Sequence, residues 1–140
     1  MSGYSGTPLA TKLSLKPGQR AWFDAMPQSV EAEIGETGVE RLAAPAPGID
    51  AAHIFVTERA DLETKVAALL PLLAPAGFLW VSWPKKASKV ETDINEDVIR
   101  DVALPTGLVD VKVCAVDETW SGLKLMIRRE RRIAIANKSH

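Results

Sequence analysis

The sequence is poor in the side chains that most often bind metals or attack substrates. Its 140 residues include one cysteine, Cys114, and two histidines, His53 and His140. A single cysteine cannot form a disulfide within the chain, and these three residues lack the spacing of a metal-binding cluster. Ser82 lies in an apolar segment without the G-x-S-x-G pattern of a serine nucleophile. The sequence therefore predicts no catalytic residue and no metal site, and Cys114 is interpreted as a small core residue.

Neither sign of charge dominates, and no apolar segment is long. The chain has 17 lysines and arginines against 18 acidic residues, a formal net charge of −1, which gives no overall attraction to nucleic acid or to anionic membranes. No apolar run approaches the roughly 18 residues that a membrane span needs, and residues 1–12 lack the apolar core of a signal peptide. We therefore expect a cytoplasmic protein with an unidentified protein or small-molecule partner. The oligomeric state is left open.

Strands and helices are predicted to alternate along the chain. Six segments have the composition of strands: 19–24, 39–43, 52–57, 78–83, 108–116 and 123–130. Four helices are predicted: one with its N-cap at Thr7 and Pro8 in its first position, one from Pro27 to a glycine at 35 or 38, one with its N-cap at Asp61, and one with its N-cap at Asn95.

This alternation is typical of one fold class. The short segment DETWSG joins the last two predicted strands, so they should form an antiparallel hairpin. The remaining strands alternate with helices, which indicates a three-layer, Rossmann-like α/β sheet that is mostly parallel. We expect a single domain over 1–140, with an ordered core at 7–130 and flexible ends at 1–6 and 133–140.

The predicted pattern resembles the class I methyltransferase fold, whose last strand lies antiparallel beside the fifth. LLAPAGFLWV (residues 72–81) resembles the L-x-P-G-G-x-L-x-V entry into that fifth strand. The resemblance implies the spatial strand order 39–43, 19–24, 52–57, 78–83, 123–130, 108–116. It also implies that one strand and one helix are missing between Ala43 and Ala52, where the chain is too short to contain them.

A more specific resemblance covers residues 80–130, from WVSWPKK to MIRRE. This stretch is similar to a family of short bacterial proteins known as a domain of unknown function, number three thousand and fifty-two. That resemblance implies a bacterial source and no particular activity.

The cofactor motifs of methyltransferases do not occur at the matching positions. The family binds S-adenosylmethionine through a loop of the form E/D-x-G-x-G-x-G after the first strand, because glycines let the backbone approach the cofactor closely. The matching stretch, WFDAMPQSV, has no glycine: Ala25, Met26 and Pro27 follow Asp24. The acid expected after the second strand, near 43–45, is also absent. We therefore predict no cofactor and a degenerate, non-catalytic binding or interaction module, with an active methyltransferase as the less favoured reading.

A basic loop follows the apolar strand WVSW, and an acidic turn follows a neighbouring strand. Both should lie at the carboxyl edge of the sheet, where open α/β sheets bind ligands. The candidate ligand-binding residues are Trp83, Lys85, Lys86, Lys89, Asp117, Glu118 and Trp120. One interpretation is a pocket for an anionic or planar, nucleotide-like ligand, in a binding protein or a small enzyme. The alternative is a solvated rim in which Lys85 or Lys86 pairs with Asp117 or Glu118.

Four arginines at 128–132 raise the possibility of nucleic-acid binding. On a strand, Arg128 and Arg129 point to opposite faces, and Glu130 interrupts the run. A charged edge strand that resists aggregation explains these residues more simply. Together with the slightly acidic chain, this argues against a nucleic-acid partner.

Overall fold

The computed structural model describes residues 7–132. Its helices are α1 (Leu9–Lys12), α2 (Gln28–Ile34), α3 (Arg59–Leu69) and α4 (Glu96–Ala103). Its strands are β1 (Arg20–Asp24), β2 (Glu40–Arg41), β3 (Ile49–Phe55), β4 (Leu73–Pro84), β5 (Leu108–Ala115) and β6 (Trp120–Ile127). The predicted flexible ends, 1–6 and 133–140, lie outside the described residues.

The six strands form one sheet in the order β2-β1-β3-β4-β6-β5. Neighbouring strands are parallel except at β6, which is antiparallel to both β4 and β5. The predicted strand order and the C-terminal hairpin are therefore confirmed. The predicted charged edge strand at 128–130 is wrong, because β6 ends at Ile127 inside the sheet and residues 129–132 are helical. The segment 42–48 between β2 and β3 contains neither a strand nor a helix, which confirms that one strand and one helix of the methyltransferase pattern are missing there.

The central strands are buried on both faces, because helices cover the sheet on each side. On one face, alternate residues of β3, β4 and β6 form a core with α3 and α4, with Leu62, Val66 and Ile99 as helix contributions. On the other face the core includes α1 and α2, with Leu9 and Val30. This double coverage explains why FLWVSW reads as an uninterrupted apolar run.

Two strands begin earlier than the sequence predicts. β3 starts at Ile49 instead of 52, and β4 starts at Leu73, so that APAG belongs to a strand and not to a turn. The pairing of β3 with β4 is shifted between Ile49 and Ala51, so the extra residues form a bulge. A Cβ on Gly77 would lie 2.5 Å from the Ile49 carbonyl oxygen, which explains why glycine occupies this position.

The helix termini agree with the sequence in two of four cases. The Asn95 side chain accepts a hydrogen bond from the Val98 N–H (2.9 Å) and caps α4, as predicted. Gly35, at a φ of 66°, ends α2. The predicted caps at Thr7 and Asp61 are wrong, since α1 is preceded by Pro8 and α3 by Glu58. Asp61 instead lies in the first turn of α3, where a carboxylate is favoured by the helix dipole.

Within residues 7–132, no helix is long and apolar enough to cross a membrane.

Candidate functional site

The loop between β1 and α2 occupies the position of the methyltransferase cofactor loop. Its backbone is left-handed at Ala25, with a φ of 56°, a conformation that favours glycine. The next residue, Met26, is half-buried and packs against the core beneath α1 and α2. Pro27 precedes the first turn of α2 and has no N–H to offer a ligand. The turn is therefore present, with side chains at positions that are glycines in the methyltransferase motif, and Met26 lines a cavity of about 260 Å³ together with Phe23 and Arg41.

The acid at the end of β1 is already paired. Asp24 forms an ion pair with Lys65 of α3, and Lys65 also lies 3.0 Å from Asp61. Burial tends to lower the pKa of Lys65, but hydrogen bonds to the two aspartates outweigh it and raise the pKa above its usual value. Asp24 thus links the end of β1 to α3, which is a structural role.

The end of β2 carries a cation where the methyltransferase pattern has an acid. The Arg41 guanidinium lies 4.4 Å from the centre of the Phe23 ring and donates to Glu31 Oε1 at 2.7 Å. The residues that follow, 42–47, include no carboxylate. A ribose hydroxyl would therefore meet a donor that is already engaged, instead of an acceptor.

A cavity of about 530 Å³ lies at the carboxyl edge of the sheet, on the side of α1 and α2. It is lined by Thr7, Leu9, Lys12, Ser29, Glu33, Lys85 and the hairpin turn 115–119. Its volume is in the range typical of small-molecule sites. It carries both signs of charge, so any ligand there would meet lysine and carboxylate groups together.

The structure brings some of the predicted site residues to this cavity and separates others from it. Lys85, Asp117 and Glu118 line the cavity. Lys86 and Lys89 are exposed and are not among its lining residues.

The two tryptophans of the predicted site have structural surroundings. Trp83 is 7% exposed and belongs to the core on the α3 and α4 side of the sheet. Trp120 is half-buried and packs edge-to-face on Phe55, with ring centres 5.1 Å apart. Neither tryptophan lines the cavity, so ligand stacking on them stays a prediction without support from the geometry.

The hairpin turn is held by backbone contacts instead of the predicted ion pairs. Asp117 Oδ1 accepts hydrogen bonds from the N–H groups of Thr119 (2.8 Å) and Trp120 (2.7 Å). The Lys85 N–H donates to the Thr119 carbonyl at 2.7 Å and ties the lysine loop to the turn. Among residues 7–132, no ion pair joins Lys85 or Lys86 to Asp117 or Glu118. That expectation is wrong because the Asp117 carboxylate caps its own turn.

A buried polar pair that was not predicted from the sequence lies in the sheet. His53 of β3 and Ser82 of β4 are 2% and 0% exposed, and His53 Nε2 lies 2.6 Å from Ser82 Oγ. The His53 ring also stacks on Phe55, with centroids 4.5 Å apart. Burial lowers the pKa of His53 from 6.5 to about 3, so the imidazole is neutral at physiological pH. The signal in the sequence was two polar residues in otherwise apolar strands.

Among the residues described, no group of three or more histidine, cysteine, aspartate and glutamate side chains could hold a metal ion. The Nε2 atom of His53 is hydrogen-bonded to Ser82. Burial raises the pKa of the Cys114 thiol, although the nearby Lys112 and Lys12 oppose this, so Cys114 is mostly protonated at neutral pH.

Comparisons with known proteins identify the fold. No protein-family model matches the sequence, and no curated protein is similar to it in sequence. Among solved structures, the ribosomal protein L11 methylase of Lactobacillus delbrueckii subsp. bulgaricus is similar with a TM-score of 0.56 and 10% identity, over 86% of this chain and 76% of that one. A SAM-dependent methyltransferase from Aquifex aeolicus is similar with a TM-score of 0.56 and 16% identity, over 84% and 86%. The N-methyltransferase NodS from Bradyrhizobium japonicum has a TM-score of 0.55 and 12% identity, over 86% and 93%.

At these identities the likeness establishes a methyltransferase-like fold and no activity. The family predicted from residues 80–130 has no matching model, so that assignment stays a prediction.

Proposed function

We propose that this chain is a non-catalytic binding or interaction module on a methyltransferase-like sheet, without an S-adenosylmethionine site at the end of β1. The observation that carries the proposal is the loop after β1. Ala25 holds its left-handed position, and half-buried Met26 packs against the core beneath α1 and α2. A cofactor that needs close backbone approach would meet side chains there.

The electrostatics of the same region support this proposal. Asp24 is engaged by Lys65, and the end of β2 presents Arg41. Freeing Asp24 to accept from a ligand would leave Lys65 without one of its two partners. Both family positions that would contact the cofactor are therefore used to hold strands and helices together.

Calorimetric titration with S-adenosylmethionine and S-adenosylhomocysteine tests the proposal. We expect no saturable binding in the micromolar range, on a sample whose cooperative melting curve shows that it is folded. Saturable micromolar binding that shifts the backbone amide resonances of residues 24–28 would contradict the proposal and favour an active methyltransferase.

A second candidate function is binding of a small anionic or nucleotide-like ligand in the 530 Å³ cavity. The observation that favours it is Lys85, which follows β4 at the carboxyl edge and faces the cavity together with Lys12. Lys86 and Lys89 would then serve as the exposed rim of the cavity and not as direct contacts.

Adenosine monophosphate is a suitable probe for the cavity. If it binds there, Lys85→Gln should weaken binding, while Arg128→Gln should not, because Arg128 is an exposed cation that does not line the cavity. Binding that is insensitive to Lys85→Gln would exclude the cavity as the site.

We also propose that the protein is bacterial and cytoplasmic, and that it belongs to the family of short proteins that residues 80–130 resemble.

A further inference from the structure

Four lysines lie on the α1 side of the C-terminal hairpin. The lysine cluster consists of Lys12 in α1, Lys16 shortly after α1, Lys112 in β5 and Lys124 in β6. Lys112 and Lys124 are directly opposite each other in the antiparallel pair β5 and β6. Like charges in that position repel and destabilise the pair. The fold therefore brings cations together at a place where they repel one another.

Contacts within the cluster involve neutral groups only. Lys124 Nζ donates to Ser14 Oγ at 3.0 Å and lies 4.6 Å from the centre of the Phe78 ring. Lys112 Nζ donates to the Lys12 carbonyl at 3.2 Å. Each ammonium has three N–H donors, so two on each of these lysines remain for another acceptor.

The four lysines have no carboxylate as a direct ion-pair partner within the described part of the chain. The stretches that carry the cluster, 7–19, 111–116 and 119–129, contain no aspartate or glutamate, although the chain has 18 acidic residues. Lys12 also lines the 530 Å³ cavity with Glu33, Asp117 and Glu118, so the excess of positive charge is that of Lys16, Lys112 and Lys124.

The pKa of Lys124 is consistent with an ammonium group that has no counter-ion beside it. Partial burial, and then the charges of Lys112 and Lys16, lower the pKa of Lys124. An anion at this place would favour the charged form and offset the repulsion.

We propose that Lys112 and Lys124, with Lys16 and the Ser14 hydroxyl, bind an oxyanion of two or more negative charges, the phosphate or pyrophosphate group of a small soluble ligand. A phosphate group offers several acceptor oxygens, which suits ammonium groups that approach from different elements. Ser14 Oγ accepts from Lys124 and can donate its own proton to the same anion. Lys16, Lys112 and Lys124 do not line the 530 Å³ cavity, so the two sites can be tested separately.

Calorimetric titration with sodium pyrophosphate, at constant ionic strength in chloride buffer, tests the proposal. We expect saturable binding that Lys124→Met and Lys112→Gln each weaken by roughly tenfold or more, since each removes one unit charge from the anion's contacts. Methionine keeps an apolar side chain over Phe78, so the sheet should remain folded. Arg128→Gln removes an exposed charge elsewhere and should bind as the wild type does.

Thermal unfolding supplies a second readout. In chloride alone, Lys112→Gln should raise the melting temperature, because it removes the repulsion across the strand pair. Pyrophosphate should raise the melting temperature of the wild type and have little effect on that variant.

Three results would overturn the proposal. The first is no saturable binding by the wild type, and the second is binding that Lys85→Gln abolishes while Lys124→Met leaves it unchanged, which would place the anion in the cavity. The third is tight binding of a twenty-nucleotide single strand without binding of pyrophosphate, which would assign the cluster to nucleic acid.

Discussion

The buried histidine of β3 should make the stability of this protein depend on pH in a range where most folded proteins are insensitive. His53 has a pKa of about 3 in the folded state because burial excludes the charged imidazolium. In the unfolded chain its pKa should be near the usual 6.5. Below pH 6.5 the unfolded state therefore binds a proton that the folded state does not, and stability falls as the pH falls.

The size of the effect follows from these two values. The free energy of unfolding should decrease by about 1.4 kcal/mol for each pH unit below 6.5, until the pH approaches 3. Between pH 7.5 and pH 5 the loss is about 2 kcal/mol, or roughly 6–10 °C in melting temperature for a domain of this size. Carboxylates contribute little in this interval, because they titrate mainly at lower pH.

Urea denaturation of the wild type and of His53→Gln at pH 7.5 and pH 5 measures the effect. The variant should be less stable at both pH values, since it disturbs the contact with Ser82 and the stacking on Phe55, but it should lose far less than the wild type between them. His140→Gln is the matched control and should keep the wild-type dependence. If the 2 kcal/mol difference persisted in His53→Gln, the assignment to His53 would be refuted.

Three further predictions concern backbone geometry and packing. In urea denaturation, Ala25→Gly should stabilise the protein by about 0.5–1 kcal/mol, because it relieves the left-handed strain at a φ of 56°. The control Ala68→Gly in α3 should destabilise the protein by about 1 kcal/mol, and equal losses of stability in the two variants would contradict this reasoning. Gly77→Ala should lower the free energy of unfolding more than Gly122→Ala, for which about 1–3 kcal/mol is expected, because the new Cβ would lie 2.5 Å from a backbone oxygen at 77 but 3.1 Å from a side-chain atom at 122. The reverse order would be evidence against the strand geometry. Trp120→Ala should lower stability by about 2–4 kcal/mol through loss of its edge-to-face contact, and Trp120→Phe should restore most of it; an unchanged melting temperature for Trp120→Ala would reopen a ligand-binding role.

The strand order could be predicted because each element has a strong local signal and the family resemblance supplied the crossovers. The Asn95 cap is one such signal, since it depends on four consecutive residues and no distant contact. The early starts of β3 and β4 could not be predicted in this way. APAG has the composition of a turn, and only its pairing with the start of β3, through a bulge at Ile49, makes it part of a strand.

The candidate residues lie at the carboxyl edge of the sheet, as expected, but the sequence did not show on which face of the sheet each side chain lies. Alternation along β4 places Trp83 on the side opposite to the cavity, beside α3 and α4. Asp117 and Lys85 do meet at the turn, but through a capped loop and a backbone hydrogen bond instead of an ion pair. Such local hydrogen bonds depend on the conformation of the turn, which the sequence alone does not specify.

The loop after β1 shows that a residue other than glycine can hold a left-handed position, at a cost in stability. A left-handed residue is most stable as glycine, and alanine there costs about 1–2 kcal/mol in the folded state, offset in part by a smaller loss of chain entropy on folding. The left-handed turn is present at Ala25, and half-buried Met26 packs against the core and lines a cavity of about 260 Å³ together with Phe23 and Arg41. Glycine at position 25 would remove this strain but would leave the side chains of Met26 and Pro27 in the loop. Ala25→Gly should therefore stabilise the fold without creating the glycine-rich loop of the methyltransferase motif.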